Sequence, residues 1–109
     1  MLDPATGRPY TCEVIYEWHR TKASENRRKH GVDFHDAIPA LEDPVRLEET
    51  DDRHTYGEQR TMVIGMALEN RVLFVVTTSR GEDTCRIISA RKATRNEQDR
   101  YYAGDREAW

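Results

Sequence analysis

Five consecutive apolar residues, Val72–Val76, stand out in a chain that is otherwise strongly polar. Apolar residues make up 37% of its 109 positions, below the roughly 45–50% that is usual in globular domains. The run is apolar at every position rather than at alternate ones, which is typical of a strand buried on both faces. It therefore predicts that Arg71–Arg80 forms a central strand of a β-sheet.

Weaker strand patterns lie on both sides of this run. The predicted strands are Cys12–Trp18, a short edge strand at Val45–Glu48, Arg60–Ala67 and Thr84–Arg91. A turn at Gly81–Asp83 joins the central strand to Thr84–Arg91 as a hairpin. Because side chains alternate along a strand, we expect one face to carry Arg86, Ile88 and Ala90. The other face should carry Ile87, Ser89 and Arg91.

The sequence predicts three helices, because residues that commonly start or end helices occur at suitable positions. The predicted helices are Thr21–His30, ending at Gly31; a segment after the N-cap residue Asp33, with a kink or early end at Pro39; and a segment after Thr94 that continues to about Ala103. Thr94 and Glu97 have the spacing of a capping box. We expect Tyr101 and Tyr102 to dock this last helix on the sheet.

The order of these elements predicts an α+β fold, with an N-terminal strand, two helices, an antiparallel sheet of about four strands and a C-terminal helix. Residues 1–11 read as an irregular N-terminal extension and residues 12–109 as a single domain. No stretch is apolar enough to be a signal peptide or a membrane span. We therefore expect a cytoplasmic protein with no membrane contact. Cys12 and Cys85 are too few and too far apart to suggest a disulfide framework.

The net charge of −3 conceals a segregated pattern. Residues 20–30 carry a net charge of +4 and residues 80–95 a net charge of +3, whereas residues 33–59 carry −7. Blocks of alternating sign suggest one basic and one acidic face. The basic segments are suited to holding phosphate, although the charge pattern alone favours two solvated surfaces, one on a helix and one on a hairpin.

The first candidate site is a polar stripe on the first helix. Residues three and four positions apart share a helix face, so one stripe carries Lys22, Asn26, Lys29 and His30. These side chains could hold phosphate and move a proton, because histidine titrates near neutral pH. The alternative is an exposed amphipathic helix in which His30 only caps backbone carbonyls.

Two further candidate sites contain arginines near strand ends. Arg80 and Arg86 could meet across the hairpin turn and bind phosphate oxygens, or they could pair with Glu82 and Asp83. Glu58 could act as a general base beside Arg60, or the two could form a salt bridge where the strand begins. The sequence has no glycine-rich phosphate loop and no metal-ligand spacing, so no cofactor and no metal are expected.

Together these segments resemble BrnT-type toxins. The residues that carry the resemblance are Tyr16-Glu17-Trp18, Lys22, Asn26, Lys29-His30-Gly31-Val32, Phe34, Ala37, Asp43-Pro44, Glu58-Gln59-Arg60, Ile64-Gly65, Ser79-Arg80, Arg86-Ile87-Ile88-Ser89-Ala90-Arg91, Ala93, Glu97 and Tyr101. They extend over roughly residues 14 to 103. The chain differs from the usual family pattern in having His19 after Trp18.

The resemblance implies a RelE-like fold and a ribonuclease toxin of a type II toxin–antitoxin system. It also implies a BrnA-type antitoxin with a ribbon-helix-helix DNA-binding domain, through which the toxin would contact promoter DNA only indirectly. We expect metal-independent RNA cleavage that inhibits translation. His30 or Glu58 would transfer the proton, and Lys29, Arg60, Arg80 and Arg86 would hold phosphate. Lys22, Asn26 and Arg91 are second choices for binding RNA.

Two other functions are compatible with the sequence. The domain could be a non-catalytic partner or corepressor subunit of a DNA-binding antitoxin. It could also bind RNA or DNA without cutting it, in which case binding would depend steeply on salt and the RNA would be recovered intact.

Overall fold

The apolar run lies in the middle strand of a five-stranded sheet in the computed structural model, which describes residues 14–51, 59–81 and 83–104. The elements in chain order are β1 (Ile15–Glu17), α1 (Arg20–His30), α2 (Phe34–Leu41), β2 (Leu47–Asp51), β3 (Arg60–Met66), a short 3₁₀ helix (Leu68–Asn70), β4 (Val72–Ser79), β5 (Thr84–Lys92) and α3 (Arg95–Ala103). The α+β prediction is confirmed. The predicted extension at residues 1–11 lies outside the described residues.

The strand order of the sheet is β1-β5-β4-β3-β2. The pairs β2–β3, β3–β4 and β4–β5 are antiparallel, whereas β1 and β5 are parallel. The N-terminal strand therefore joins the same sheet as the later strands. β2 begins two residues later than predicted and lies at an edge, as expected.

A β-bulge in β5 contradicts the predicted alternation of its side chains. Thr77 pairs with Ile87, while the preceding Val76 pairs with Ser89, so that Ile88 is an extra residue in β5. A bulge reverses which face the following side chains occupy. The prediction that Arg86 and Arg91 lie on opposite faces is therefore wrong: they share a face with Ser89, because their partners on β4 alternate regularly.

Each face of the sheet is covered by helices over its own apolar cluster. The cluster under α1 and α2 consists of Val32, Phe34, Ala37, Ala40, Ala67, Leu73, Val75, Ile87 and Ala90. The cluster under α3 consists of Leu47, Ile64, Val72, Ala93 and Tyr101. Tyr101 docks α3 as predicted, but Tyr102 is 65% exposed and does not. Gly65 allows α2 to approach β3, since a Cβ atom there would lie 2.1 Å from the carbonyl oxygen of Ala40.

α1 and α3 end at the glycines that predicted their ends, whereas α2 does not end early at Pro39. Gly31 ends α1 with a φ of 69°, which glycine adopts without steric cost. Asp33 caps α2 by accepting a hydrogen bond from the backbone N–H of His35, and α2 continues two residues past Pro39. The capping box of Thr94 and Glu97 is present at the start of α3. None of the helices in the described part of the chain is long and apolar enough to cross a membrane.

Asp43 joins three separate parts of the fold. Its carboxylate accepts hydrogen bonds from the Tyr101 hydroxyl at 2.5 Å, from the backbone N–H of Met66 at 2.8 Å and from that of Val45 at 3.0 Å. Burial opposes ionisation of Asp43, but these hydrogen bonds outweigh it and lower the pKa of the carboxyl. Burial and the bond to Asp43 raise the pKa of Tyr101 to about 12.

We predict that Asp43→Ala lowers the free energy of unfolding at pH 7 by about 2–4 kcal/mol, because two backbone donors and one hydroxyl lose their partner. In the folded protein the pKa of the Asp43 carboxyl lies below its ordinary value of 3.8. The stability contributed by the ionised carboxylate is therefore fully present above pH 3.8 and is lost as the pH falls through the folded pKa. Urea unfolding at pH 7 and pH 3 should show the difference from wild type shrinking at pH 3. Asp99→Ala, at an exposed position, should change stability by less than about 0.5 kcal/mol. A loss of the same size at both pH values would contradict this prediction.

We also predict that His19→Asp stabilises α1. His19 is the N-cap residue but its side chain makes no capping hydrogen bond, and the first turn of α1 contains no acidic residue. An aspartate would accept a backbone N–H and interact favourably with the helix dipole, adding about 0.5–1 kcal/mol to the free energy of unfolding. Urea unfolding checks the value, and Thr94→Ala at the capped start of α3 should shift stability in the opposite direction. Unchanged stability in His19→Asp would contradict the prediction.

Candidate functional site

Two of the predicted arginines lie in one row across the sheet. Arg60 pairs with Thr78, Thr78 pairs with Arg86, and Arg86 pairs with Glu17. Directly paired residues point to the same face, and neighbouring strands are about 4.8 Å apart, so the backbones of Arg60 and Arg86 are roughly 10 Å apart. The register therefore brings together side chains from β1, β3, β4 and β5.

Arg80 joins this row through Glu17. The Glu17 Oε1 atom is 3.1 Å from Nε of Arg86 and 3.9 Å from Nε of Arg80. Arg80 and Arg86 are therefore close across the hairpin turn, as predicted, but the acid between them is Glu17 rather than Asp83. We call the face that carries Arg60, Arg80 and Arg86 the arginine face. Glu58 lies outside the described residues, so the predicted pairing of Glu58 with Arg60 stays a prediction.

The predicted stripe on α1 borders a shallow depression next to β5. The depression has a volume of about 210 Å³, and its lining residues are Lys22, Glu25, Asn26, Lys29, His30, Ile88 and Ser89. We call it the α1 depression. Ser89 points to the arginine face, like Arg86. On the neighbouring strand β4, Ser89 pairs with Val76 and Arg86 pairs with Thr78, two residues further along. Two residues span about 7 Å in a strand, so the α1 depression adjoins the arginine face.

Asn26 is the member of this stripe that is not exposed. It retains only 6% of its accessible surface and makes three hydrogen bonds to backbone groups. Its Oδ1 accepts from the Ala90 N–H at 3.0 Å, while Nδ2 donates to the carbonyl oxygens of Ala90 at 2.7 Å and Val32 at 3.0 Å. Both amide donors are thus used. Asn26 therefore fastens α1 to β5, and its suggested role in binding RNA stays a prediction.

Arg91 is also held by contacts within the fold. Its guanidinium group makes two hydrogen bonds to the Glu97 carboxylate, at 2.8 and 3.0 Å, and lies 4.2 Å from the centre of the Phe74 ring. Although burial opposes ionisation of Glu97, the bonds from Arg91 and from the backbone of Thr94 lower the pKa of its carboxyl. These contacts tie β5 to α3, and the RNA-binding role suggested for Arg91 competes with them.

Two other kinds of group were possible sources of chemistry in the described residues: clusters of metal-ligating side chains and the Cys85 thiol. Within residues 14–51, 59–81 and 83–104, no three His, Cys, Asp or Glu side chains are grouped so that they could hold a metal ion. Cys85 is a free thiol, and burial raises its pKa more than a hydrogen bond with Thr77 lowers it. The Cys85 thiol is therefore poorly suited to be a nucleophile. His30 is the imidazole that lines the α1 depression.

Glu17 and Ser89 are two polar residues of this surface that sequence analysis did not identify as candidates. Glu17 occupies a polar position in a strand pattern, which gives no indication of its partner on β5. Ser89 reaches the arginine face only because of the bulge at Ile88. One sequence feature could have pointed to them. Glu17 and Ser89 lie in the segments that carry the family resemblance, together with Trp18 and Arg86.

Comparisons with known proteins bear out the resemblance seen in the sequence. The family model described as ribonuclease toxin, BrnT, of type II toxin-antitoxin system matches residues 18–97. The chain is also similar to the crystal structure of the Brucella abortus ribonuclease toxin BrnT, with 25% sequence identity and a TM-score of 0.54. That similarity covers 78% of this chain and 100% of the Brucella chain. No curated protein sequence matches.

We predict that Asn26→Asp lowers the free energy of unfolding by about 2–4 kcal/mol, because a carboxylate would replace the donor to two carbonyl oxygens. Lys22→Ala is the matched control on the same helix and should change stability by less than about 0.5 kcal/mol, since Lys22 is exposed. Thermal and urea unfolding measure both. If Asn26→Asp left stability unchanged and weakened only RNA binding, Asn26 would be an RNA contact rather than a structural residue.

Proposed function

Because the chain belongs to the family of BrnT ribonuclease toxins of type II toxin–antitoxin systems, we propose that it cleaves RNA on the arginine face. The observation that carries this proposal is the strand register that aligns Arg60, Thr78 and Arg86 beside Ser89 and the α1 depression. Several cations on one rigid face are suited to the phosphates of a single RNA strand. Cleavage of cytoplasmic RNA would then inhibit translation.

The proposed reaction uses the 2′-hydroxyl of the RNA as nucleophile, since that group lies beside the phosphate and is absent from DNA. A base removes the proton from the 2′-hydroxyl as its oxygen attacks phosphorus. The bond between phosphorus and the 5′-oxygen breaks, and an acid donates a proton to that oxygen. The products are a 2′,3′-cyclic phosphate and a free 5′-hydroxyl. The substrate supplies the nucleophile, so this scheme needs no metal ion.

His30 or Glu58 is proposed to transfer the proton. His30 is exposed in the last turn of α1 and borders the α1 depression together with Ser89. An imidazole can act as base or acid near neutral pH without a large change of its pKa. Glu58 precedes β3 in the chain, close in sequence to Arg60, and could serve the same purpose.

The cations are proposed to hold the scissile phosphate and to stabilise the charge that develops on it. Arg80 and Arg86 are half-exposed and lie beside one another, which suits two-point binding of phosphate oxygens by guanidinium groups. Arg60 extends the same row. Lys29 and, as a second choice, Lys22 would bind the RNA backbone where it crosses the α1 depression.

The proposed partner is a BrnA-type antitoxin with a ribbon-helix-helix DNA-binding domain. A type II system pairs its toxin with a protein antitoxin, and an acidic segment of that protein would complement the arginine face. We propose that the antitoxin covers this face and thereby neutralises the toxin. The complex would bind promoter DNA through the antitoxin alone.

We predict that the purified protein cleaves a single-stranded RNA in the presence of EDTA and that Arg80→Ala, Arg86→Ala and His30→Ala each lower the cleavage rate by about 10²-fold or more. Arg95→Ala is the matched control, because Arg95 is an arginine of α3 whose side chain is 93% exposed. Gel analysis of a labelled oligonucleotide measures the rate, and a substrate with one 2′-deoxy substitution at the cleavage site should resist cleavage.

Three outcomes would contradict the proposal in different ways. Intact RNA together with steeply salt-dependent binding would indicate a non-cleaving RNA-binding domain. No interaction with RNA, but tight binding of the antitoxin, would indicate a corepressor subunit. Cleavage that EDTA abolishes would show that the metal-independent scheme is wrong.

A further inference from the structure

We propose that Glu17 is a positioning residue that holds Arg80 and Arg86 in the orientation needed to bind phosphate. This inference rests on the proposed function, because it assigns a further residue to the same surface. Glu17 belongs to β1, whereas both arginines belong to the β4–β5 hairpin.

Both arginines approach the same carboxylate oxygen through the same kind of nitrogen. Glu17 Oε1 lies 3.1 Å from Nε of Arg86, in a hydrogen bond, and 3.9 Å from Nε of Arg80. A guanidinium group has one N–H at Nε and four at its two terminal nitrogens. Contact through Nε leaves the terminal fork, which matches two phosphate oxygens, available for a ligand. Among the described residues, neither arginine makes another ion pair.

The charge of Glu17 also allows the two arginines to be neighbours before RNA arrives. Two guanidinium cations close together repel one another, and a carboxylate between them offsets that repulsion. The three side chains are between one-third and one-half exposed, so solvent screens them only in part. With Glu17 present, the pair can be arranged before a phosphate binds, which lowers the ordering cost of binding.

The backbone fixes the relative positions of all three residues. Glu17 pairs with Arg86 in the parallel register of β1 and β5. The N–H of Ile15 donates to the carbonyl oxygen of Asp83 at 2.7 Å, and the N–H of Arg80 donates to that of Thr84 at 2.9 Å. Side chains on paired strands are placed more accurately than side chains on loops. The pairing of β1 with β5 therefore places the Glu17 carboxylate next to the two arginines.

The inference is tested with Glu17→Ala and Glu17→Gln, with Asp99→Asn as a control that changes the net charge by the same amount on α3. The glutamine keeps an oxygen that can accept from Nε but removes the charge. Four measurements are needed: kcat/KM for an RNA oligonucleotide, its pH profile, the Kd of the all-2′-deoxy oligonucleotide, and hydrogen exchange of the arginine Nε–H groups by NMR. Thermal melting checks that each variant is folded.

We expect Glu17→Ala to lower kcat/KM and weaken binding of the deoxy oligonucleotide roughly tenfold, the equivalent of one charge-assisted hydrogen bond. Glu17→Gln keeps the acceptor for Nε but not the charge, so both values should lie between those of Glu17→Ala and wild type. The pH profile should not change, and Arg86 Nε–H should exchange faster in Glu17→Ala than in wild type. Asp99→Asn should match wild type in every measurement.

Other results would overturn the inference. If Glu17→Gln lost as much activity as Glu17→Ala and the acidic limb of the pH profile disappeared, Glu17 would be the general base. If both variants bound the deoxy oligonucleotide more tightly than wild type, Glu17 would merely compete with phosphate. Wild-type protein that fails to cleave RNA would refute the proposed function alone, because oligonucleotide binding and Nε–H exchange still test the role of Glu17.

Discussion

The arrangement of the candidate site depends on how the outer edge of β5 is hydrogen-bonded. Among the described residues, β1 pairs with this edge along Thr84–Arg86. Further along β5, the Asn26 side chain makes the hydrogen bonds that a neighbouring strand would make. It donates to the carbonyl oxygen of Ala90 and accepts from the Ala90 N–H. Without these partners the peptide groups of Ala90 would be buried and unsatisfied. The two partners of β5 also carry Glu17 and the polar stripe of α1, so closing the edge of the sheet assembles the site.

The arginines of the β4–β5 hairpin illustrate how the same residue type serves two purposes. Arg91 has a bidentate carboxylate partner and an aromatic ring beneath it, which together fasten α3 to the sheet. Arg80 and Arg86 share one carboxylate oxygen, so their terminal nitrogens have fewer partners within the fold. A fully paired guanidinium stabilises a structure, whereas a partly paired one retains capacity for an anion. Arg80 and Arg86 therefore retain more capacity to bind an anion than Arg91 does.

The bulge at Ile88 connects the arginine face to the α1 depression. It keeps Ile87 and Ala90 in the same apolar cluster although they are three positions apart, which a regular strand does not allow. Ser89 is thereby placed on the arginine face, and Ile88 lines the α1 depression beside His30. Alternation alone predicted the wrong face for every residue after Ile88, since an inserted residue leaves no mark in the apolar pattern of so short a strand.

The sequence by itself determined the elements whose signals are local. Caps and terminal glycines located the three helices, the run at Val72–Val76 located the central strand, and helix spacing placed Lys22, Lys29 and His30 on one stripe. Only the tertiary structure decided what Asn26, Arg91 and Glu17 do. Asn26 bonds to a residue 64 positions away and Glu17 to one 69 positions away. Sequence periodicity predicts which way a side chain points within its own helix or strand. The residue that this side chain contacts depends on how distant segments pair, which the local sequence does not encode.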